Sequence, residues 1–207
     1  MKKIISIEGN IGSGKSTIIE RLKNEKFGNV NLIFLPEPVD VWNEIKDSNG
    51  LTILEKYYSD NKRYSFSFQM MAYITRLSQL RKEIKNAPDN SIIITERCLY
   101  TDRYVFAKML YDSGHIEDIE YTIYLKWFDE FIDFKMSGFI YIHTDPEVCF
   151  ERIKIRNRKG EENVPLEYLT NCHKYHEEWI NSFLNVHVLN GNGDINVESI
   201  LELIGTF

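Results

Sequence analysis

Cysteine is scarce in this chain, and the placement of the few cysteines excludes several classes of protein. The three cysteines lie far apart, with no C-x-x-C pair and no spacing typical of metal ligands. Such a set argues against a disulfide-stapled secreted protein and indicates a reducing environment. The sequence also lacks an apolar run long enough to cross a membrane, and its first ten residues are too short and too soon interrupted for a signal peptide. We therefore expect a cytoplasmic protein with no membrane partner.

An excess of positive charge is missing as well. Lys and Arg number 25 against 31 Asp and Glu, which gives a net charge of −6. A mildly acidic chain is a poor candidate for nucleic-acid binding, although a local cluster of Arg and Lys can still bind phosphates. The 207 residues contain no repeat and no low-complexity linker. We therefore predict one domain over residues 1–207.

Short β-branched runs alternate with longer helical segments along the chain. The pattern predicts strands at residues 3–8, 31–35, 91–95, 139–143 and 186–189. It predicts helices at residues 15–26, 51–58, 62–87, 101–111, 121–135, 146–156, 166–183 and 197–204. This alternation predicts a three-layer α/β fold with a central parallel five-stranded sheet.

A glycine-rich segment joins the first predicted strand to the first predicted helix. It matches G-x-x-x-x-G-K-[ST] in full and comprises Gly9, Asn10, Ile11, Gly12, Ser13, Gly14, Lys15, Ser16 and Thr17. In such a loop the backbone N–H groups and the helix N-terminus bind phosphates. The lysine reaches the β- and γ-phosphates, and the hydroxyl after it holds Mg²⁺. The segment therefore predicts a site for ATP and Mg²⁺, while the absence of a guanine-reading N-K-x-D motif disfavours a GTPase.

Charged residues follow two other predicted strands. Glu37 lies between two prolines after the second strand, where it can accept a proton from a hydroxyl group or serve as an ordinary turn residue. Glu96 and Arg97 follow the third strand. They can support Mg²⁺ and bind a phosphoryl oxygen, or form a structural ion pair.

Three arginines recur near the end of the helix predicted at 146–156. Arg152 and Arg156 share a helix face, and Arg158 begins a charged segment that contains a glycine. They can stabilise the charge on a transferring phosphoryl group, or form a solvated basic face. We predict a mobile lid at about residues 152–163.

Several motifs recur together in one order. They are E-P-V-x-x-W at 37–42, tyrosine at 58 followed by F-Q at 68–69, E-R-C at 96–98, R-x-x-x-R-x-R at 152–158 with a glutamate at 161, V-P-L-x-Y-L at 164–169, and H-x-x-H-E-x-W at 173–179. With the phosphate loop, this set resembles the deoxynucleoside kinase family, the group of deoxycytidine, deoxyguanosine and mitochondrial thymidine kinases. The resemblance runs from residue 4 to about residue 179.

The resemblance implies roles for individual residues. Glu37 would be the general base, Arg97 would hold the 5′-oxygen, and Lys15 would supply charge to the phosphates. The nucleoside would contact Trp42, Leu54, Tyr58, Phe68, Gln69, Phe106 and Glu161, with Tyr58 and Glu161 at the 3′-hydroxyl, Gln69 at the base edge and Ile11 also lining the pocket. Gly160 departs from the acidic residue common in the family, which leaves Glu162 as an alternative to Glu161. His173 matches the family pattern, and we expect it to pack rather than to catalyse.

Three positions bear on the choice of base. At Ala72, Arg76 and Asp102 the chain resembles deoxycytidine and deoxyguanosine kinases more than thymidine-preferring members. An Arg76–Asp102 pair would crowd a thymine methyl group and favour deoxycytidine or a deoxypurine, unless the pair is only structural.

The predicted activity is transfer of the γ-phosphate of ATP, or of another nucleoside triphosphate, to the 5′-hydroxyl of a deoxynucleoside in nucleotide salvage. Two alternatives stay open: a nucleoside monophosphate kinase of the thymidylate-kinase type, and a nucleotide-binding regulatory subunit without catalysis. The family precedent is a homodimer, for which the helices at 62–87 and 121–135 could supply an interface.

Overall fold

The computed structural model describes residues 2–158, 161 and 164–207, and five parallel strands form the centre of this part of the chain. The strands are β1 (Lys3–Glu8), β2 (Asn31–Leu35), β3 (Ser91–Glu96), β4 (Gly138–His143) and β5 (Val186–Asn190). Their order in the sheet is β2-β3-β1-β4-β5, and every neighbouring pair is parallel. The predicted α/β fold with a parallel five-stranded sheet is therefore confirmed.

Helices connect the strands and cover the sheet. They are α1 (Lys15–Leu22), α2 (Val39–Glu44), α3 (Ile53–Ser59), α4 (Asn61–Asn86), α5 (Leu99–Thr101), α6 (Lys108–Asp112), α7 (Asp118–Phe131), α8 (Pro146–Arg156), α9 (Leu166–Ile180) and α10 (Val197–Thr206), with a π-helical stretch at Asp102–Ala107. None of the helices in the described ranges is both long and apolar enough to cross a membrane.

The central strands are apolar because both faces of the sheet are covered. On one face Ile5 and Ile94 pack in a cluster with α1 and α10. On the other face Ile4 and Ile93 pack against Leu80 of α4. Alternate residues of one strand thus enter two different cores, which is why the strands read as nearly continuous apolar runs.

One predicted helix needs correction, and one helix was not predicted. The segment at 101–111 is not one regular helix, because α5 passes into the π-helical stretch before α6 begins. A π-helical stretch often marks a functional site, and this one carries the buried Asp102 and the cavity-lining Phe106. Helix α2 was not predicted, because six residues after Pro38 are too few to show a helical period.

The parallel sheet brings the functional segments to one edge. In the register of β1 with its neighbours, Ile7 pairs with Glu96 of β3 and Glu8 pairs with Tyr141 of β4. The segments that follow β1, β2 and β3 therefore leave the same edge of the sheet, where ligands of α/β proteins bind.

Candidate active site

The loop between β1 and α1 is held tightly by its surroundings. Gly9, Gly12 and Gly14 have φ angles of 145°, 79° and 99°, which disfavour residues with a side chain. A Cβ atom on Gly12 would lie 2.5 Å from the backbone oxygen of Cys149 in α8. The Asn10 side-chain amide also donates to the Leu169 carbonyl of α9 at 2.8 Å. The loop is thus fixed by two helices distant in sequence.

Lys15 is buried at the start of α1. Its ammonium group donates to the Asn10 carbonyl at 2.6 Å. Burial lowers the pKa of Lys15 to about 7, and the positive charge of Arg97 works in the same direction. A phosphate beside this ammonium group would favour its charged form, so the site suits an anion.

Ser16 and Glu96 meet at the edge of the sheet. The Ser16 hydroxyl donates to Oε1 of Glu96 at 2.7 Å. The pair places a hydroxyl and a carboxylate oxygen side by side, and Mg²⁺ prefers such oxygen donors. The two residues predicted to hold the metal ion therefore lie together and suit it chemically.

Two guanidinium groups donate hydrogen bonds to the same carboxylate oxygen of Glu37. Arg97 donates to its Oε1 at 2.8 Å and Arg76 donates to the same atom at 3.1 Å. Burial by itself would raise the pKa of Glu37, but the charges of Arg97 and Arg76 outweigh it and lower the pKa to about 2. Glu37 is therefore ionised at neutral pH.

Arg97 adopts a backbone conformation that is unusual for a residue with a side chain. Its φ angle is 61°, in the left-handed region. Its N–H donates to the Ile7 carbonyl at 3.0 Å, and its guanidinium group lies 5.2 Å from the centre of the Phe106 ring. Strain of this kind costs about 1–3 kcal/mol and tends to occur at functional sites.

A cavity of about 400 Å³ connects the phosphate loop with this charged cluster. Its volume is in the usual range for a small-molecule site. The predicted residues that line it are Ile11, Gly12, Gly14, Lys15, Ser16, Thr17, Glu37, Trp42, Leu54, Tyr58, Phe68, Gln69, Ala72, Arg76, Glu96, Arg97, Asp102, Phe106, Arg152, Arg156, Arg158 and Glu161. Gly9, Asn10 and Ser13 do not line it, and they shape the loop from behind.

Aromatic rings and one buried amide form the apolar end of the cavity. The Trp42 and Phe68 rings meet edge to face at 5.4 Å. Gln69 is 2% exposed, and its Oε1 has no hydrogen-bond partner among the described residues. An unpaired buried acceptor is costly, so this end suits a ligand that donates a hydrogen bond.

Arg76 and Asp102 form the predicted pair. Nε of Arg76 donates to Oδ2 of Asp102 at 3.0 Å, and Nη1 donates to the Glu96 carbonyl at 2.8 Å. Burial raises the pKa of Asp102 to about 6, although the charge of Arg76 works in the opposite direction. The same arginine also reaches Glu37, a contact that the sequence did not predict.

The arginines near the end of α8 line the cavity. Arg152 donates to the Ser13 carbonyl at 3.3 Å. Arg156 and Arg158 both form ion pairs with the buried Glu161. Gly160 and Glu162, where the sequence suggested a departure and an alternative ligand, lie outside the described residues.

Sequence reasoning missed four cavity residues: Val39, Tyr57, Ile155 and Tyr168. The Tyr57 ring stacks on Phe68 at 4.6 Å, and its hydroxyl lies 3.0 Å from the hydroxyl of Tyr168. Tyr168 lies within the V-P-L-x-Y-L motif, which was a usable signal. Val39 likewise lies within the E-P-V-x-x-W motif. For Tyr57 and Ile155 no local pattern distinguishes a cavity residue from a core residue.

Comparison of the sequence with known proteins shows similarity to one family. The sequence model of the family described as "Deoxynucleoside kinase" matches residues 5–202. The probable deoxycytidine kinase FPV151 of fowlpox virus is 38% identical over 199 residues, which cover 93% of this chain and 79% of the relative. Human deoxycytidine kinase is 36% identical over 201 residues, covering 86% and 75% of the two chains, and human mitochondrial thymidine kinase 2 is 33% identical over 183 residues, covering 86% and 64%.

This chain belongs to the deoxynucleoside kinase family. The family predicted from the motifs is therefore confirmed, and ATP is the phosphate donor that the family uses. The roles of the individual residues stay predictions.

A substitution at Gly12 tests whether the phosphate loop is packed as described. We expect Gly12→Ala to reduce ATP affinity at least tenfold, because its φ angle and the 2.5 Å approach to the Cys149 carbonyl leave no room for a methyl group. Calorimetric titration with ATP would measure this. Gly193→Ala is the matched control, since nothing lies within 4 Å of its added Cβ. Equal ATP affinity in the two variants would show that the loop is not held in this way.

Proposed function

We propose that this chain transfers the γ-phosphoryl group of ATP to the 5′-hydroxyl of a deoxynucleoside, in nucleotide salvage. The observation that carries this proposal is Oε1 of Gln69, which is buried and has no hydrogen-bond partner among the residues that the structure describes. It lies in a cavity that also reaches Lys15 of the phosphate loop, so a hydrogen-bonding base and a triphosphate can be held in one space. A side-chain amide can pair with a base edge through two hydrogen bonds.

The sugar is assigned to the space between the base end and Glu37. Tyr58 and Glu161 both line the cavity, and Glu161 is 5% exposed. Burial raises the pKa of Tyr58 well above its ordinary value, with smaller contributions from neighbouring groups that include Glu161. The Tyr58 hydroxyl therefore stays protonated, and together with the carboxylate it offers a donor and an acceptor to a 3′-hydroxyl.

Glu37 is the assigned base, and its low pKa defines how it acts. A carboxylate with a pKa of about 2 is a weak base before the reaction begins. Phosphoryl transfer passes through a loose transition state, so it depends on positioning more than on early removal of the proton. We infer that Glu37 orients the 5′-hydroxyl and takes its proton late, while Arg97 holds the oxygen.

The donor side is assigned to the phosphate loop and the arginines of α8. Lys15 and Arg152 supply positive charge, and Ser16 with Glu96 would hold Mg²⁺. When bound, the metal ion neutralises charge on the phosphates. ATP is the proposed donor, and another nucleoside triphosphate fits the same loop.

A nucleoside fits the acceptor end better than a nucleoside monophosphate. An acceptor phosphate would need free cations beside the sugar. Arg76 and Arg97 are instead paired with Glu37, and Arg156 and Arg158 are paired with Glu161. This pairing favours a neutral 5′-hydroxyl over a phosphate group.

Asp102 supports a preference for an amino-bearing base. One of its oxygens accepts from Arg76, and the other has no hydrogen bond within the described part of the chain. A carboxylate oxygen can accept from the exocyclic amine of cytosine or adenine, whereas thymine offers a methyl group at that edge. Deoxycytidine or a deoxypurine is therefore proposed over thymidine.

A second copy of the chain is the proposed partner, and nucleic acid is not. Helices α4 and α7 pack together, and they leave an apolar stripe in solvent that comprises Ile74, Ile119, Ile123 and Trp127. The three residues on α7 are four positions apart and share one face. Two copies of such a stripe can meet about a twofold axis.

We also propose the extent of the domain, a lid and a cellular setting. The proposed domain covers residues 1–207, with a lid at about 152–163. The reason is that both halves of the chain contribute residues to the cavity. The three cysteines are free and buried, which supports a reducing, cytoplasmic setting.

The base preference can be measured with a turnover panel of the four deoxynucleosides. We expect deoxycytidine or a deoxypurine to have the highest kcat/KM. Asp102→Ala should lower the ratio of deoxycytidine to thymidine about tenfold or more, since such a base contact contributes about 1–3 kcal/mol. Asp129→Ala, at an exposed carboxylate, should leave the ratio unchanged. Thymidine as the best wild-type substrate by a wide margin would refute this preference.

The role of Glu37 can be separated from ATP binding. We expect Glu37→Gln to retain ATP affinity and lose about 10²–10⁴-fold in kcat, because the amide cannot take the proton. Glu44→Gln, on the exposed side of α2, is the control and should keep wild-type kcat. Near-wild-type turnover by Glu37→Gln would remove it as the base.

The dimer is tested by sedimentation velocity. We expect twice the chain mass for the wild type and the chain mass for Ile123→Lys, because a charge would be buried in the apolar interface. Leu184→Lys is the control, since Leu184 is 99% exposed and lies outside the stripe. A monomeric wild type would contradict this assembly.

A further inference from the structure

Three metal-ligating side chains meet outside the cavity. His143 is the last residue of β4, and His173 and Glu177 lie four residues apart on α9. Four residues is just over one helical turn, so the two α9 side chains share a face. One ligand atom of each of the three residues lies within 4.8 Å of those of the other two.

The ligand atoms are spaced somewhat more widely than those of a tetrahedral metal site. Nε2 of His143 lies 3.7 Å from Oε1 of Glu177. The rings of His143 and His173 are 5.0 Å apart at an angle of 76°. Zinc–ligand bonds of about 2.0–2.1 Å place neighbouring tetrahedral ligands about 3.3 Å apart, so small side-chain rotations would complete the geometry.

Two polar atoms of the cluster are buried without a partner. Nδ1 of His173 and Oε1 of Glu177 make no hydrogen bond in the described ranges. Buried polar atoms of this kind are rare, because each carries an uncompensated desolvation cost. The Glu177 carboxylate lies close to His143 and to the buried Tyr141 hydroxyl, whereas neither contact accounts for the unpaired nitrogen of His173 within the described ranges.

The types of ligand atom in the cluster indicate which metal ion it would bind. Two imidazole nitrogens and one carboxylate oxygen are typical ligands of Zn²⁺. Mg²⁺ requires oxygen ligands in octahedral geometry, so it fits this cluster poorly. Three protein ligands leave one tetrahedral position for water.

We propose that His143, His173 and Glu177 form a zinc-binding site that ties the end of β4 to α9. Both elements support the phosphate loop from behind. Thr144, the residue after β4, donates to the Ser13 carbonyl at 3.3 Å, and the Leu169 carbonyl of α9 accepts from Asn10 at 2.8 Å. Zinc bound at this site links the end of β4 to α9, the two elements that contact the loop, and lies outside the substrate cavity.

The test uses the full chain, freed of metal with a chelator and without nucleotide, because ATP itself binds zinc. Zn²⁺ is titrated calorimetrically, and Co²⁺ serves as a spectroscopic probe of tetrahedral nitrogen and oxygen ligation. We expect one ion per chain and a higher melting temperature with Zn²⁺, and Mg²⁺ in excess should not displace it. His143→Gln, His173→Gln and Glu177→Gln should each weaken binding about 100-fold or more, beyond the 10–100-fold cost typical of an outer-sphere change.

His115→Gln is the matched control, because His115 lies outside the cluster and bonds Ser113. It should bind Zn²⁺ like the wild type. Far-ultraviolet circular dichroism of the metal-free variants checks their fold, and three separate ligand variants keep the test decisive if one of them fails to fold. The proposal is overturned if the wild type binds no Zn²⁺, or if folded ligand variants bind it as tightly as His115→Gln does.

Discussion

Two buried guanidinium groups share one carboxylate oxygen, Oε1 of Glu37, and the architecture of the site depends on this contact. A buried charge is tolerated when it is paired, and removing one partner of such a pair typically costs 3–5 kcal/mol. Arg97 extends the cluster toward the phosphate loop, where it approaches the Gly9 carbonyl at 3.4 Å. Arg76 extends it toward the base end through Asp102. The donor and acceptor halves of the cavity are thus joined by one set of charges.

The features that are costly to the folded protein lie where a ligand would offset them. Lys15 is a buried ammonium group whose pKa falls to about 7, and Arg97 has a left-handed backbone. Gln69 keeps a buried acceptor without a hydrogen bond in the described part of the chain. A triphosphate would favour the charged lysine, and a nucleobase would pair the amide. Such local costs persist because the sheet and its covering helices fix the surrounding backbone.

Much of the fold and of the candidate site was predictable from sequence, because short local patterns of residues indicate them. The strands show as short apolar runs, and the phosphate loop and Glu37 follow strands whose ends must meet at one edge. The π-helical stretch at Asp102–Ala107 was not predictable, because its pattern does not differ from that of an α-helix. The contact of Arg76 with Glu37 spans 39 residues and depends on how α4 lies on the sheet. His143 has no local signal either, since only the fold places it beside α9.

We propose that the cavity binds an acceptor with a neutral 5′-hydroxyl, because the arginines beside Glu37 and Glu161 are already paired with these two carboxylates. The most direct measurement compares a deoxynucleoside with its own 5′-monophosphate as acceptors, using Mg²⁺-ATP and chromatographic detection of products. We expect rapid formation of the monophosphate from the deoxynucleoside, and little or no diphosphate from the monophosphate. Faster phosphorylation of the monophosphate would rule out a neutral acceptor and favour a nucleoside monophosphate kinase.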